Sequence, residues 1–512
     1  MSTITIALWA VIVAVTVLFV IIAIKSKSQT ANTMESHYKG DRSLSPFVTM
    51  MSMGATLMSA FIFVGLSGFF YTHGIGSWVY VGWSNSAMFL LTIVFGYRMW
   101  RLSHKFGYTT PLQFMSDRYQ CKWVGAICAI ITIIFTIPYL SLQMVGVAKL
   151  LTALSGGQIS YLAGVIIISI LGFIIVQFGG MRTVARTDMI QGCFMFTIGI
   201  IIVVVILGKE FGGSIANLFA RVNEVEPSLL SIPGPNGFFT MGMLFSCTLA
   251  SFFMPVSQIQ ISSRYLTLKN KKAWRTMMIG TAIIPLISIP ASMLIGLGAK
   301  AVFPALASGD DSFMSMISTY LPLPLMLCAV LAVFSASLTT LDSMVLGLGA
   351  VLGGDLLPAL KVDEKKHLAI SKYGAIVLLL VTMFFAFNPP DLIVMLALVS
   401  YTATLQFVPA FLGAMFWKRA TKQGAIASII AGMAVFLGTK YIPGLAITWG
   451  SFDPSFWGFV AACIVYVIVC LCTKPDLETY DRLLGYLKNV YPFNKQNVEA
   501  GIDSEADELV VE

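Results

Sequence analysis

The chain has 512 residues, of which 57% are hydrophobic and 11% charged, and its mean hydropathy is +0.85. A soluble protein this poor in charge could not cover its surface, so the class is an all-α integral membrane protein. A net charge of +8 raises the question of a nucleic-acid partner; the distribution of basic residues described below answers it in favour of membrane topology.

At about 20 apolar residues per crossing, roughly thirteen spans are predicted. They fall at 4–24, 46–72, 75–100, 123–153, 158–178, 188–208, 237–262, 273–299, 321–354, 367–388, 391–416, 422–441 and 455–473. The first is too long for a signal-peptide core and no small-residue cleavage site follows it, so it reads as a retained helix. The second, PFVTMMSMGATLMSAFIFVGLSG from Pro46 to Gly68, is written differently from a plain lipid-crossing helix. Gly54, Ala55, Thr56, Ser59 and Ala60 lie at its centre, where backbone can open only if the freed groups line a cavity or hold an ion. A discontinuous helix beside a midplane site is expected here.

Asp188 sits in GGMRTVARTDMIQG, after a Gly-Gly break, and is expected to begin the sixth span near the inner face. Two readings stay open: an acid at a helix start, with Thr187 as cap, or a cation station on the cytoplasmic side. The seventh span has a small and polar centre (Ser246, Cys247, Thr248, Ala250, Ser251) followed by Pro255. Two interrupted spans five apart imply an inverted repeat, spans two to six against seven to eleven. The alternative is that small residues let helices pack closely and Pro255 merely kinks one.

The ninth span reads CAVLAVFSASLTTLDSMVLGLGAVLGGDLL, with Ala336, Thr339, Thr340 and Ser343 spaced along one face and Asp342 beside them. Carbonyls freed at Ala55, Met58 and Ala336, with the Thr339 and Thr340 hydroxyls, would give a hard monovalent cation a nearly neutral cage of oxygens. Both threonines could instead bond back to carbonyls four residues earlier. Of the 24 acids, only Asp188 and Asp342 are read as lying within or at the edge of a span and away from loops, where an ionisable group is by default functional.

All but five of the 32 basic residues (Lys149, Lys209, Arg221, Lys300 and Lys440) fall on one side if the N-terminus is outside. The positive-inside rule then makes the C-terminal tail cytoplasmic and explains the net charge without nucleic acid. The eight cysteines are scattered, mostly inside apolar runs, and show neither a disulfide framework nor metal-ligand spacing. The four histidines lie in or near loops, so no enzymatic cluster is expected. Residues 474–512 form a polar tail. Tyr480, Leu483, Leu484, Tyr486 and Leu487 give it a weak apolar stripe, and it is expected to lie on the inner membrane surface or to be partly disordered, without a catalytic role.

Several stretches resemble the sodium:solute symporter family, the group that includes the bacterial sodium/proline and sodium/pantothenate symporters. They are GDRSLSPFVTMMSMGATLMSAFIFVG, GGMRTVARTDMIQG, SSRYLTLKNKKA, AVFSASLTTLDS and LVSYTATLQFVPAFLGAMFWKRATKQGA, in the family's order over most of the chain. The resemblance implies a LeuT-type five-plus-five inverted repeat (about 46–210 and 237–416) with one extra leading helix and two trailing ones, in a transmembrane domain of residues 1–473. It implies a sodium site at Ala55, Met58, Ala336, Thr339 and Thr340, and a second sodium site or exit path at Asp188, Asp342 and Ser343. Solute contacts implied by it are Ser59, Ala60, Tyr139, Gln143, Ser251 and Phe252, with Trp83 and Gln406 as further positions. Two departures from the family's pattern favour one sodium over two. Leu57 stands where the proline symporter has an aspartate, and Asp342 stands where members with a second sodium carry a hydroxyl or amide.

The expected function is sodium-coupled import of a small organic solute (a monocarboxylate, a pantothenate-like molecule or an amino acid) by alternating access. No organic cofactor is expected, and the setting is the cell's inner (plasma) membrane, with lipid and the solute as partners and a monomer as the working unit. A proton-coupled carrier of the same fold is the alternative. A transporter-like sensor is a further one, although the roughly forty residues after the last span are expected to be too few for a signalling kinase.

Overall fold

The computed structural model describes residues 3–27, 33–235, 237–388, 394–442, 444–447 and 449–487, and every regular element among them is helical. In chain order the apolar helices are α1 (Thr3–Lys27), α2 (Pro46–Leu57), α3 (Phe61–His73), α4 (Trp78–Phe106), α5 (Lys122–Leu154) and α6 (Tyr161–Glu210). They continue with α7 (Met241–Phe252), α8 (Lys271–Val302), α9 (Leu323–Ala359), α10 (Glu364–Ala386), α11 (Met395–Phe416), α12 (Lys422–Tyr441) and α13 (Pro454–Cys472). Among the described residues nine helices are long and apolar enough to cross a membrane, or ten if the bent pair α2 and α3 is one span. This is fewer than the thirteen read from sequence. The first, fifth and seventh predicted spans appear as shorter apolar helices, Thr3–Leu18, Tyr161–Ile174 and Met241–Phe252.

Helix starts are set by residues visible in the sequence. Ser45, Thr110, Ser160, Thr240, Asn270 and Thr421 each accept a hydrogen bond from an amide in the first turn of the helix that follows. A cap of this kind satisfies an amide that has no intrahelical partner, and in or near lipid water is scarce to replace it. Gly180 divides α6. Its φ of 60° and ψ of −176° suit only glycine, and a Cβ there would lie 2.9 Å from the His37 carbonyl oxygen. The short helix Met34–Lys39 thus presses its backbone against the hinge of α6.

At the centre, α2 packs against α6, α8 and α9, while α5 supports α9 and α11 from behind. The helices α12 and α13 form an antiparallel pair against the end of α11. The tail differs from expectation. Its helix Leu477–Leu484, capped by Asp476, buries Leu483 and Leu484 within the protein instead of resting them on lipid. Arg482 bonds Asp117 at 2.7 Å and the Arg118 guanidinium stacks 5.3 Å from the Tyr480 ring, so the helix Pro111–Arg118 is its partner. Hydrogen bonds from Thr479 hold the Asp476 carboxyl below its usual range. The Tyr486 side chain and all residues beyond Leu487 lie outside the described set.

Candidate cation and solute site

The helix beginning at Pro46 stops at Leu57. Met58 (φ −99°, ψ 80°) and Ser59 are not helical, and α3 resumes with its axis turned by 48°. The first amides after the break find side chains: Ala60 N–H donates to Gln143 Oε1 at 3.3 Å and Phe61 N–H to Ser59 Oγ at 3.1 Å. Across from the break stand the two threonines of α9, both fully buried. Thr339 Oγ1 donates to the carbonyls of Ala55 and Ala336, each at 3.1 Å, and Thr340 Oγ1 donates to the carbonyl of Thr56 at 3.1 Å. Both hydroxyls therefore reach across to α2, Thr339 also bonding back three residues to Ala336. Met58 meets α8 through its sulfur, which accepts from Ser288 Oγ at 2.8 Å. The Thr56 carbonyl was not anticipated; adjacent threonines opposite a helix must meet adjacent carbonyls, which is the signal for it.

On the Pro46 side of these oxygens lies a charged nest. Asp188 Oδ2 accepts from Ser52 Oγ at 2.7 Å and from Arg264 Nη2 at 3.0 Å. The same guanidinium nitrogen donates to Thr56 Oγ1 at 3.0 Å and makes a short contact with Ser343 Oγ, and Thr56 and Ser343 share a further bond at 3.0 Å. Asp342 is fully buried, and neither of its carboxylate oxygens has a hydrogen-bond partner among the described residues. Two sequence expectations are corrected here. Asp188 does not begin a helix, because the break is at Gly180, two turns earlier; Thr187 is no cap, its hydroxyl bonding back to Thr183 and Val184. Arg264, placed by sequence in a cytoplasmic loop, is 1% exposed at the heart of the nest. Two acids in spans without a basic partner were the signal that a cation had to come from elsewhere. Asp355, 2% exposed within α9 and bonded by Thr110 at 2.6 Å, is a third acid buried within a long apolar helix, missed because the ninth span was ended at residue 354.

Among the implied solute contacts, the structure gathers Ser59, Ala60, Tyr139 and Gln143 at the break, with Tyr139 edge-on to Tyr401 at 5.2 Å. Ser251 is buried at the end of α7. Trp83 is 48% exposed on the outside of α4 and does not join them. Phe252 is half-buried and packs edge-on against Phe253, at 5.3 Å, which in turn meets Phe459 of α13. Gln406 is buried but donates to Thr402 and Ser455 carbonyls, in the seam between α11 and α13. Sequence reasoning missed Gln258 and Gln260. After Phe252 the seventh predicted span breaks into two single turns around Gln258 (φ −93°, ψ 115°), whose amide donates to Thr404 Oγ1 at 2.7 Å and accepts from Gln260 at 3.2 Å.

A broken span facing hydroxyls on a second helix, buried in a helical membrane bundle, defines a carrier class in which irregular backbone serves an ion or solute. The comparisons with known proteins agree. A family model for the sodium:solute symporter family matches residues 37–432, and the chain belongs to that family; it is a sodium-coupled solute symporter. The chain is 27% identical to the sodium/pantothenate symporter of Haemophilus influenzae, over 80% of this chain and 85% of that one. It is 26% identical to a sodium/proline symporter of Staphylococcus aureus, over 91% and 94%. The solved structure of a Na+-coupled sialic acid symporter in a substrate-bound outward-open state superposes with a TM-score of 0.75 over 92% of this chain and 98% of that one, at 17% identity, a likeness of fold.

Proposed function

We propose that sodium binds between α2 and α9, held by the carbonyls of Ala55, Met58 and Ala336 and the hydroxyls of Thr339 and Thr340, and that the solute binds on the far side of the break. The observation that carries this reading is the pair of threonine hydroxyls bonded to the carbonyls of Ala55 and Thr56 just before α2 stops. These oxygens bear no formal charge. They can replace water around a monovalent cation yet release it, as a transport cycle requires. The solute is proposed to be a small organic carboxylate, met by Ser59, the Ala60 region, Tyr139, Gln143 and Ser251. Pantothenate and proline, for which the relatives are named, both carry a carboxylate.

One sodium per cycle follows from the same reading. A second ion at Asp188, Asp342 and Ser343 would compete with the Arg264 guanidinium, which already donates to Asp188 and Ser343. These residues are instead read as the path by which sodium leaves. Import runs by alternating access of the five-plus-five repeat within thirteen crossings, in the inner (plasma) membrane with the N-terminus outside, as a monomer without catalytic chemistry. Residues 1–473 act as the carrier domain. Each charge moved inward contributes roughly 2.3 kcal/mol per 100 mV, and sodium and solute must tighten each other's binding equally.

The test is uptake into proteoliposomes of a panel of short carboxylates, amino acids, pantothenate and sialic acid, with and without a sodium gradient at fixed pH. Sodium-dependent uptake of at least one carboxylate is expected; uptake that follows a proton gradient and ignores sodium would overturn the reading.

A further inference from the structure

A cavity of about 440 Å³ lies behind the proposed cation site, between the leading helix α1, the second half of α6 and α9. Its wall includes Val15 and Leu18 of α1, Gln191 and Phe194 of α6, and Leu331 and Phe334 of α9, and no charged residue lines it. The volume is in the range of about 300–1,000 Å³ that small-molecule sites occupy. Three polar side chains, Thr187, Gln191 and Ser335, interrupt this wall, and Gln191 carries the largest polar group among them. Gln191 is 6% exposed, and neither its amide nitrogen nor its carbonyl oxygen has a hydrogen-bond partner among the described residues. Gln191 follows Gly180 by eleven residues, about 16 Å along the helix at 1.5 Å per residue, so it cannot reach an interface. The hydroxyl of its neighbour Thr187 is already turned back onto its own helix.

A buried carboxamide offers two N–H donors and a carbonyl acceptor, and leaving all of them unmade is costly. Water is a poor remedy in this place. An ordered water needs two to four polar partners, and beside Gln191 the wall offers only the hydroxyls of Ser335 and of Thr187, the latter already engaged. The cavity is edged by Leu18 and Ile190, 53% and 60% exposed on the lipid-facing surface, so its contents come from the bilayer. We infer that this cavity is a binding site for a neutral, single-chain membrane amphiphile whose hydroxyl head hydrogen-bonds the Gln191 carboxamide and whose hydrocarbon chain fills the apolar wall. A hydroxyl both donates and accepts, matching the two ends of the amide, and the uncharged wall excludes an ionised head. The site backs directly onto the cation ligands: a Cβ on Gly192 would lie 3.3 Å from the Ala55 Cβ, and Ser335 in the cavity wall precedes Ala336.

The experiment uses the full-length protein in phospholipid nanodiscs with two photoactivatable probes, a diazirine-bearing hexadecanol and the matching diazirine-bearing hexadecane. The alcohol is expected to label α1 and α6 saturably, and unlabelled hexadecanol but not hexadecane should compete. Gln191→Leu removes the hydrogen-bonding head partner and keeps the volume; its labelling by the alcohol should fall by roughly five- to tenfold, the worth of one such bond. Ala14→Trp fills the cavity from α1 with Gln191 intact, and should lose labelling as well while eluting as a monodisperse species. Equal labelling by alcohol and alkane, or Gln191→Leu labelled like the wild type, overturns the site and leaves a plain lipid crevice. Should Gln191→Leu fail to fold, undiminished labelling of Ala14→Trp overturns it equally.

Discussion

Two polar regions sit one helical turn apart in the middle of this bundle and are built on opposite principles. The first, around Ala55, Thr56, Thr339 and Thr340, is made of carbonyls and hydroxyls without a formal charge. The second, around Ser52, Asp188, Arg264, Asp342 and Ser343, holds two carboxylates and a guanidinium. A neutral oxygen set can exchange a cation at modest cost. A buried ion pair with hydrogen bonds on several sides is strongly destabilised when one member is removed. On the proposed reading, exchange and anchoring are separated by one turn of α2 and α9: the uncharged turn is suited to an ion that must leave, the charged turn to tying α2, α6 and α9 to Arg264.

The largest expected effect tests the anchor. Arg264→Met leaves Asp188 buried without its cation and should cost about 3–5 kcal/mol, read as a lowered thermal unfolding midpoint in detergent. Adding Asp188→Asn to it should recover part of the loss. An Arg264→Met protein as stable as the wild type would break the comparison. Next, Thr340→Ala removes an oxygen from the neutral turn. It should raise the sodium concentration for half-maximal uptake about tenfold, equivalent to roughly 1.4 kcal/mol, while expression and midpoint stay unchanged. Unaltered sodium dependence would count against the proposed cage.

A smaller change sharpens the distinction. Asp342→Asn removes a buried carboxylate that has no hydrogen-bond partner among the described residues, so stability should hold or rise by about 1 kcal/mol. The ratio of charge to solute moved, measured by electrophysiology on supported membranes, should not change; a drop by one charge would place a second sodium at Asp342. The smallest effect is expected of Trp83→Ala. Its side chain lies 48% exposed on the outside of α4, and both midpoint and solute half-saturation should move by less than about 0.5 kcal/mol equivalent.

How far each region could be read beforehand follows the same division. The meeting of the broken span with the α9 threonines was legible because its signals are local: small residues at the centre of one span and neighbouring threonines in another. The charged turn was only half legible. Asp188 and Asp342 stood out as acids in apolar runs, but Arg264 lies in SSRYLTLKNKKA, where the other basic residues belong to the loop and the first turn of α8, and nothing in its neighbours marks it as turning inward. Gln258 and Gln260 were lost for a related reason: Pro255 announced a break, but not that the chain would continue as single turns facing α11. Trp83 and Gln406 were drawn in by resemblance and fall on an outer surface and a helix seam.

By itself, then, the sequence determined that this is a helical membrane protein, where several of its helices start and where the second span must break. Those features are set by composition, by capping residues and by the intolerance of lipid for unpaired backbone, all of which act within a few residues. Only the tertiary structure decided which carbonyl each threonine meets, which cation answers Asp188, and which face of the tail helix is covered. Each of those depends on atoms brought together from helices hundreds of residues apart, where a rotation of one side chain or a shift of one turn changes the partner without altering the pattern along the chain.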